Sequence, residues 1–179
     1  ALDPAYKANR DPKNKPVHLD ALKDHLLKNY ATVVTQGCEA DDYLAQAQTD
    51  MSRLYPDMTP VIVTLDKDLY QIPGYKYNFV DKVVENVSVE EGEKFFFRQM
   101  VLGDKADNIE GIKGYGEVKT EKLFAKCVSV NDYRLKAEQA YAGAFHPKDL
   151  AIQEWNKNCD LLWIWRKVPD ECPYKVPPK

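Results

Sequence analysis

Acidic residues occur in three short clusters that together could hold divalent metal ions. The clusters contain seven carboxylates, namely Glu39, Asp41, Asp42, Asp66, Asp68, Asp104 and Asp107. If these groups converge, their negative charges repel one another strongly unless cations compensate for them. Carboxylate oxygens are the ligands that Mg²⁺ and Mn²⁺ prefer, and these ions serve phosphate chemistry. The clusters therefore predict a metal-dependent enzyme that acts on phosphodiesters.

A glycine-rich stretch follows the third cluster and could receive a phosphate. Gly111, Gly114 and Gly116 precede a predicted helix. Glycine permits a tight turn whose backbone N–H groups stay accessible to an anion. Lys113 and Lys119 add positive charge nearby. Ordinary turns also contain glycine, so it is the position directly after an acidic pair that makes this stretch informative.

Alternating strands and helices would bring the first two clusters to one edge of a sheet. We predict a strand over residues 31–35, a helix that starts near Glu39, and a buried strand over residues 61–65. This spacing fits a βαβ crossover in a parallel sheet, where ligands collect beyond the carboxyl ends of the strands. Acidic residues at a helix start are also common caps, so one cluster alone would not indicate a site.

The rest of the sequence predicts a hairpin followed by a mainly helical half. Strands are expected over residues 75–80 and 83–87, and helices over residues 19–29, 91–102, 117–125, 131–142 and 147–165. Several prolines after residue 168 indicate an irregular tail. We therefore divide the chain into an α/β domain, residues 1–89, and a helical domain, residues 90–179.

Length and composition are typical of a folded protein with one sizeable core. The chain has 179 residues, of which 44% are hydrophobic. No apolar run approaches a membrane span and no secretory signal is evident, so we expect a cytoplasmic protein without membrane contact. The four cysteines are widely spaced, which favours reduced thiols over a zinc site. The net charge is −3, but the chain apart from the seven clustered acids is mildly basic, which suits a nucleic-acid enzyme with an acidic metal site, although scattered surface charge gives the same balance.

Three motifs resemble those of the 5′-nucleases, which include flap endonucleases, the 5′→3′ exonuclease domain of bacterial DNA polymerase I and bacteriophage exonucleases. They are E-A-D-D at residues 39–42, T-x-D-K-D-L-x-Q at 64–71 and G-D-x-x-D-N-I-x-G-[IV]-x-G-x-G-E at 103–117. A Y-K-x-N-R segment at residues 6–10 extends the resemblance over most of the chain. The fold it implies is a partial parallel-sheet core of the α/β class, PIN-like and Rossmann-like, followed by a helical helix–hairpin–helix domain.

The resemblance implies that the seven carboxylates hold two or more Mg²⁺ or Mn²⁺ ions. Asp41, Asp42, Asp66 and Asp68 would take part in catalysis most directly, through ions that activate a water and neutralise the leaving oxygen. The implied activity is that of a 5′→3′ exonuclease or a 5′-flap endonuclease, and the implied substrate is DNA with 5′ ends, flaps or single-strand/duplex junctions.

The resemblance also assigns DNA contacts. Tyr6, Lys7 and Arg10 would lie at the base of a helical arch, where they steer the single-stranded 5′ end and where Lys7 and Arg10 act on the scissile phosphate. The helix–hairpin–helix element would grip the duplex backbone, often with a bound K⁺ in this family. Its predicted contact residues are Gly111, Lys113, Gly114, Gly116 and Lys119.

Two family features have no counterpart in the sequence. One is an opening strand with an aspartate ligand in a V-D-G-like context, and the other is a strand that ends in F-D-x-K. The resemblance therefore predicts a fragment, or the downstream half of a divided nuclease whose upstream half is a partner. A non-catalytic module that binds DNA without a complete metal site stays open as the alternative. An RNA-directed nuclease is a third reading, against which the hairpin argues because it suits duplex backbone.

Overall fold

The computed structural model describes residues 3–177, so the first two and last two residues of the predicted domains lie outside it. The α-helices within that range are α1 (Leu19–Asn29), α2 (Ala40–Leu54), α3 (Val89–Leu102), α4 (Glu117–Phe124), α5 (Val130–Ala144) and α6 (Lys148–Leu162). The strands are β1 (Val61–Val63), β2 (Gly74–Asn78), β3 (Val83–Val87), β4 (Gly103–Asp104) and β5 (Ile109–Glu110). Short 3₁₀ helices span Pro12–Asn14 and Lys67–Gln71. None of the described helices is long and apolar enough to cross a membrane.

The main sheet has three strands in the order β1-β2-β3. β1 and β2 are parallel, with Ile62 opposite Lys76, and β2 and β3 form an antiparallel hairpin. The fold is therefore mixed α/β with a parallel pair of strands, and the predicted fold class is confirmed. The boundary between residues 89 and 90 that we predicted from composition stays a prediction.

The strand predicted over residues 31–35 is wrong. These residues form no regular secondary structure, and the side chains of Val33 and Val34 are exposed. β-Branched residues favour a strand only where a neighbouring strand takes up their backbone hydrogen bonds and a core covers one face. No described strand lies beside this segment, so the predicted crossover from residue 31 to 65 does not form. The first acidic cluster is therefore positioned by the start of α2 and not by the end of a strand.

α3 is the centre of the larger core. Ser88 caps it: the hydroxyl accepts from the Glu91 N–H at 3.1 Å, and the Glu91 carboxylate accepts from the Ser88 N–H at 2.8 Å. Phe96 and Phe97 are fully buried on α3, and Phe96 meets the ring of Trp163 edge to face at 5.2 Å. Each such ring contributes about 2 to 3 kcal/mol by leaving water. The aromatic residues of the helical half thus pack as core.

A smaller core joins the sheet to the chain that follows α6. It consists of Ala45, Ile62, Leu69, Ile72 and Ile164. The predicted helix over residues 147–165 ends at 162. The next three residues are not helical, and two of them, at positions 163 and 164, remain buried. This connector, residues 162–166, therefore lies against the elements that carry the first two acidic clusters.

Candidate active site

All seven predicted carboxylates border two adjoining cavities of about 490 and 400 Å³. Asp42 borders the larger cavity and Asp66 the smaller one. The carboxylates that border both are Glu39, Asp41, Asp68, Asp104 and Asp107. The structure thus brings the three clusters together. Of the first two, only the cluster with Asp66 and Asp68 follows a strand, β1.

The N-terminus of α2 positions the first cluster. Glu39 is the N-cap residue, and its backbone N–H donates to Asp42 Oδ2 at 3.0 Å. The capping role that the sequence left open is therefore real for this pair, and the same two side chains also border the larger cavity. Burial, followed by the charge of Asp66, raises the pKa of Asp41. The positive end of the α2 dipole helps to hold these anions together.

The second and third clusters meet at Asp68 and Asp104. Asp66 caps the 3₁₀ helix by accepting from the Asp68 N–H at 3.0 Å. Asp104 lies in the short β4–β5 ladder and accepts from the Ala106 N–H at 2.8 Å. Burial, and then the neighbouring charge of Asp104, raises the pKa of Asp68 to about 7. Two adjacent, partly buried carboxylates are a place where a bound cation is strongly favourable.

The donor set fits a hard divalent cation, because it consists of carboxylate oxygens, and all of these residues except Glu39 and Asp66 are at least partly buried. Within residues 3–177, however, no three carboxylate, imidazole or thiol groups are arranged so that they could hold one ion. Two of the predicted ligands are paired with basic side chains instead, Glu39 with Lys7 and Asp107 with Arg10. The carboxylates are therefore of the right chemical type to bind a metal ion, but their side chains would have to move closer together around it.

The segment Tyr6–Arg10 lies across these carboxylates. Lys7 Nζ donates to both carboxylate oxygens of Glu39, at 2.5 and 2.6 Å, and the Tyr6 hydroxyl donates to Glu39 Oε1 at 2.9 Å. Burial raises the pKa of Tyr6 to about 12. Burial lowers the pKa of Lys7, but the bonds to Glu39 more than offset this and the net pKa is raised. At neutral pH Lys7 is therefore a fixed cation beside the cavities.

Replacing Lys7 with methionine is expected to loosen this segment. Lys7 and Glu39 are 24% and 44% exposed, so their ion pair contributes about 1 kcal/mol. Its loss should speed amide hydrogen exchange in residues 5–10, which include the Lys7 N–H bonded to Asp107 O at 2.8 Å, by about fivefold. Lys13→Met, on an exposed position, is the matched control. Unchanged exchange in the Lys7 variant would show that the ion pair does not hold the segment.

The predicted DNA-binding turn lies between β5 and α4. Gly114 has a φ of +82°, which non-glycine residues rarely adopt. A Cβ at Gly111 would come within 2.3 Å of backbone at the end of α3, whereas a Cβ at Gly114 or Gly116 would meet nothing within 4 Å. Lys113 is exposed, and Lys119 Nζ lies 3.8 Å from the centroid of a tyrosine ring. The five predicted contact residues are thus on one turn and the first turn of α4, and their role in DNA binding stays a prediction.

Comparisons with known sequences found a polymerase and a phage exonuclease among the relatives. DNA polymerase I of Thermus aquaticus is 29% identical over 184 residues, which is 96% of this chain and 21% of the polymerase. The exonuclease of Escherichia phage T7 is 29% identical over 129 residues, 68% of this chain and 41% of the exonuclease. The chain therefore spans about a fifth to two fifths of these curated relatives. No protein-family model matches the sequence.

Two solved structures of bacteriophage T5 proteins share the fold. The T5 D15 protein co-crystallised with metal ions superposes with a TM-score of 0.58 and 17% identity, covering 90% of this chain and 72% of that protein. The D15 flap endonuclease in complex with DNA and metal ions superposes with a TM-score of 0.54 and 16% identity, covering 90% of this chain and 78% of that protein. The predicted resemblance to the 5′-nucleases is confirmed. The shared fold extends to both the sheet and the helical half.

The 5′-nuclease motifs account for the carboxylates but not for two contacts that hold them. Gln99 Nε2 donates to Asp68 Oδ1 at 2.6 Å, and the Trp165 N–H donates to Asp42 Oδ1 at 2.8 Å. Sequence reasoning missed both, because the partners are 31 and 123 residues apart. The signal for Gln99 was its place on the apolar face of α3, where a buried amide requires a partner. No local pattern predicted the Trp165 contact.

Proposed function

We propose that this chain carries the active site of a metal-dependent 5′-nuclease that hydrolyses DNA, as a 5′→3′ exonuclease or a 5′-flap endonuclease. The observation that carries the proposal is the convergence of seven carboxylates on two adjoining cavities, with Lys7 and Arg10 at the border of the smaller one. A cation-binding centre beside fixed basic side chains suits a phosphodiester, because both can neutralise its charge. The T5 flap endonuclease, which shares the fold, was solved with DNA and metal ions.

Two or more Mg²⁺ or Mn²⁺ ions would be held by the seven carboxylates. When bound, they would supply an activated water and neutralise the leaving oxygen. The protein's own contribution is to hold Asp68 beside Asp104 and to keep Lys7 charged. Lys7 and Arg10 would then bind the scissile phosphate, and Tyr6 would lie next to the 5′ nucleotide.

The glycine turn, residues 111–116, would act with α4 as a helix–hairpin–helix element that binds duplex backbone and a K⁺ ion. Support comes from the open space above Gly114 and Gly116 and from the positive N-terminus of α4. We place the protein in the cytosol of a bacterium or a phage-infected cell, where such DNA occurs.

An upstream half of a divided nuclease is the protein partner we propose, and β1 is where it would add. β1 is an edge strand whose Val61 and Val63 are exposed while Ile62 is buried. Strands of parallel sheets are normally covered on both faces, so this strand is suited to pair with further polypeptide. The alternative function is a DNA-binding module without catalysis, and it would fit the observation that, within residues 3–177, no three of the clustered carboxylates are placed to share one ion.

Cleavage of a labelled 5′-flap duplex tests the proposal. We expect Mg²⁺-dependent cleavage that EDTA abolishes and that Asp66→Ala lowers by about a hundredfold or more, since a ligand is lost. Asp57→Ala, on an exposed turn, is the control and should cleave normally. Binding without cleavage would support the module instead. An absence of binding would contradict both functions.

A further inference from the structure

A buried chain of hydrogen bonds links Asp68 to the connector after α6. Gln99 Nε2 donates to Asp68 Oδ1 at 2.6 Å, and Gln99 Oε1 accepts from Gln71 Nε2 at 3.4 Å. Gln71 Nε2 also donates to the carbonyl of Leu162 at 2.8 Å, and Gln71 Oε1 accepts from the Ile164 N–H at 2.9 Å. Both amide side chains are buried, at 7% and 0% exposure for Gln99 and Gln71.

The backbone of the connector fixes which group donates and which accepts in each of these hydrogen bonds. The Ile164 N–H can only donate and the Leu162 carbonyl can only accept, so the Gln71 amide has one orientation that satisfies both. That orientation directs Gln71 Nε2 at Gln99 Oε1, and the NH₂ group of Gln99 must then face Asp68. All four polar atoms of the two side chains have a partner, as buried amides require.

We infer that Gln99 is a positioning residue that orients the Asp68 carboxylate for metal binding, with Gln71 and residues 162–164 as its support. The inference rests on the proposed function, because it concerns a ligand of that site. The same connector holds a second carboxylate, since the Trp165 N–H donates to Asp42 Oδ1 at 2.8 Å. Residues of the helical half therefore set the geometry of ligands that belong to the sheet half. Groups that orient metal ligands in this way typically change metal affinity by about 10- to 100-fold when removed.

The test is the Mn²⁺ affinity of Gln99→Met, measured on the full chain by the loss of the free-ion EPR signal. Methionine keeps the unbranched shape and removes the donor. We expect Mn²⁺ binding to weaken about tenfold, and kcat for flap cleavage to fall while KM for DNA stays unchanged. Gln139→Met, on an exposed position of α5, is the matched control and should bind Mn²⁺ like the wild type.

The outcomes separate the inference from the proposed function. If the wild type binds Mn²⁺ and cleaves DNA and Gln99→Met has the same Mn²⁺ affinity, the positioning role is overturned and the nuclease stands. If the wild type neither binds Mn²⁺ nor cleaves, both are overturned. Should the methionine variant fail to fold, as judged by its circular dichroism, Gln99→Asn keeps an amide but shortens its reach by one methylene and is expected to weaken Mn²⁺ binding equally.

Discussion

Replacing Asp68 with asparagine is expected to abolish metal-dependent cleavage and, in the metal-free protein, to increase stability. Asp68 borders both cavities and lies beside Asp104, so a neutral amide there removes one ligand charge from the centre of the proposed site. Loss of a metal ligand should lower kcat/KM by about a hundredfold or more. Asparagine can still accept from Gln99, so the side chain keeps its place.

The gain in stability follows from the raised pKa of Asp68. Burial and the charge of Asp104 raise that pKa to about 7, from 3.8 for an ordinary aspartate. Between about pH 4 and pH 7 the folded protein holds a proton that the unfolded chain has released, so the unfolding free energy falls as the pH rises through this range. A shift of this size corresponds to about 4 kcal/mol, and partial exposure of Asp68 reduces the expected effect to about 1 to 2 kcal/mol.

Urea unfolding at pH 5 and pH 8 with EDTA present measures this effect. From pH 5 to pH 8 the unfolding free energy of the wild type should fall by about 1 to 2 kcal/mol more than that of Asp68→Asn. Asp57→Asn should behave like the wild type. Added Mg²⁺ should stabilise the wild type at pH 8 and have little effect on Asp68→Asn. If the unfolding free energy of Asp68→Asn fell between pH 5 and pH 8 as much as that of the wild type, Asp68 would not be the source of the pH dependence, and its pKa would not be raised as described.

Local signals predicted the helical half well. The starts of α3 and α5 follow Ser88 and Ser129, each of which forms a reciprocal cap with an acid three residues later, Glu91 and Asp132. The starts predicted from apolar spacing, residues 91 and 131, lie within two residues of these capped starts, and such caps depend on only four consecutive residues. The acidic clusters were found for the same reason, because each lies within a short motif. Their convergence depends on the fold, and the structure places them around shared cavities.

Longer-range features could not be predicted. Residues 31–35 have strand composition, but a strand forms only beside another, and the sequence does not say which neighbour is present. The apolar pattern of α6 continues through Trp163 and Ile164, which are buried although the helix has ended at Leu162. Burial alone does not distinguish helix from extended chain there. The contact of Trp165 with Asp42 depends on that ending, so no local rule could have indicated it.

A second large effect is expected at Lys76, whose replacement by methionine should stabilise the protein at neutral pH. Lys76 lies in the central strand β2 and is 1% exposed. Its ammonium group donates to the carbonyl of Gly74 at 3.3 Å, a long bond that replaces little of its hydration. Burial lowers its pKa from 10.5 to about 8. The folded protein therefore disfavours the charged form that Lys76 has at pH 7.

The size and pH dependence of this effect follow from the same shift. It corresponds to about 3 kcal/mol, and we expect Lys76→Met to raise the unfolding free energy at pH 7 by about 2 kcal/mol, because methionine keeps the apolar stem and removes the charge. From pH 8 to about pH 10.5 the folded protein binds fewer protons than the unfolded chain, so the stability of the wild type rises with pH. The advantage of the variant should shrink accordingly.

Urea unfolding at pH 7 and pH 10 separates this explanation from a simple packing gain. A packing gain would be equal at both pH values, whereas relief of a buried charge should be large at pH 7 and small at pH 10. Lys126→Met, at an exposed position, should change stability by less than about 0.5 kcal/mol at either pH. A destabilised Lys76→Met at pH 7 would mean that the ammonium group has stronger partners than the Gly74 carbonyl, and that β2 depends on its charge.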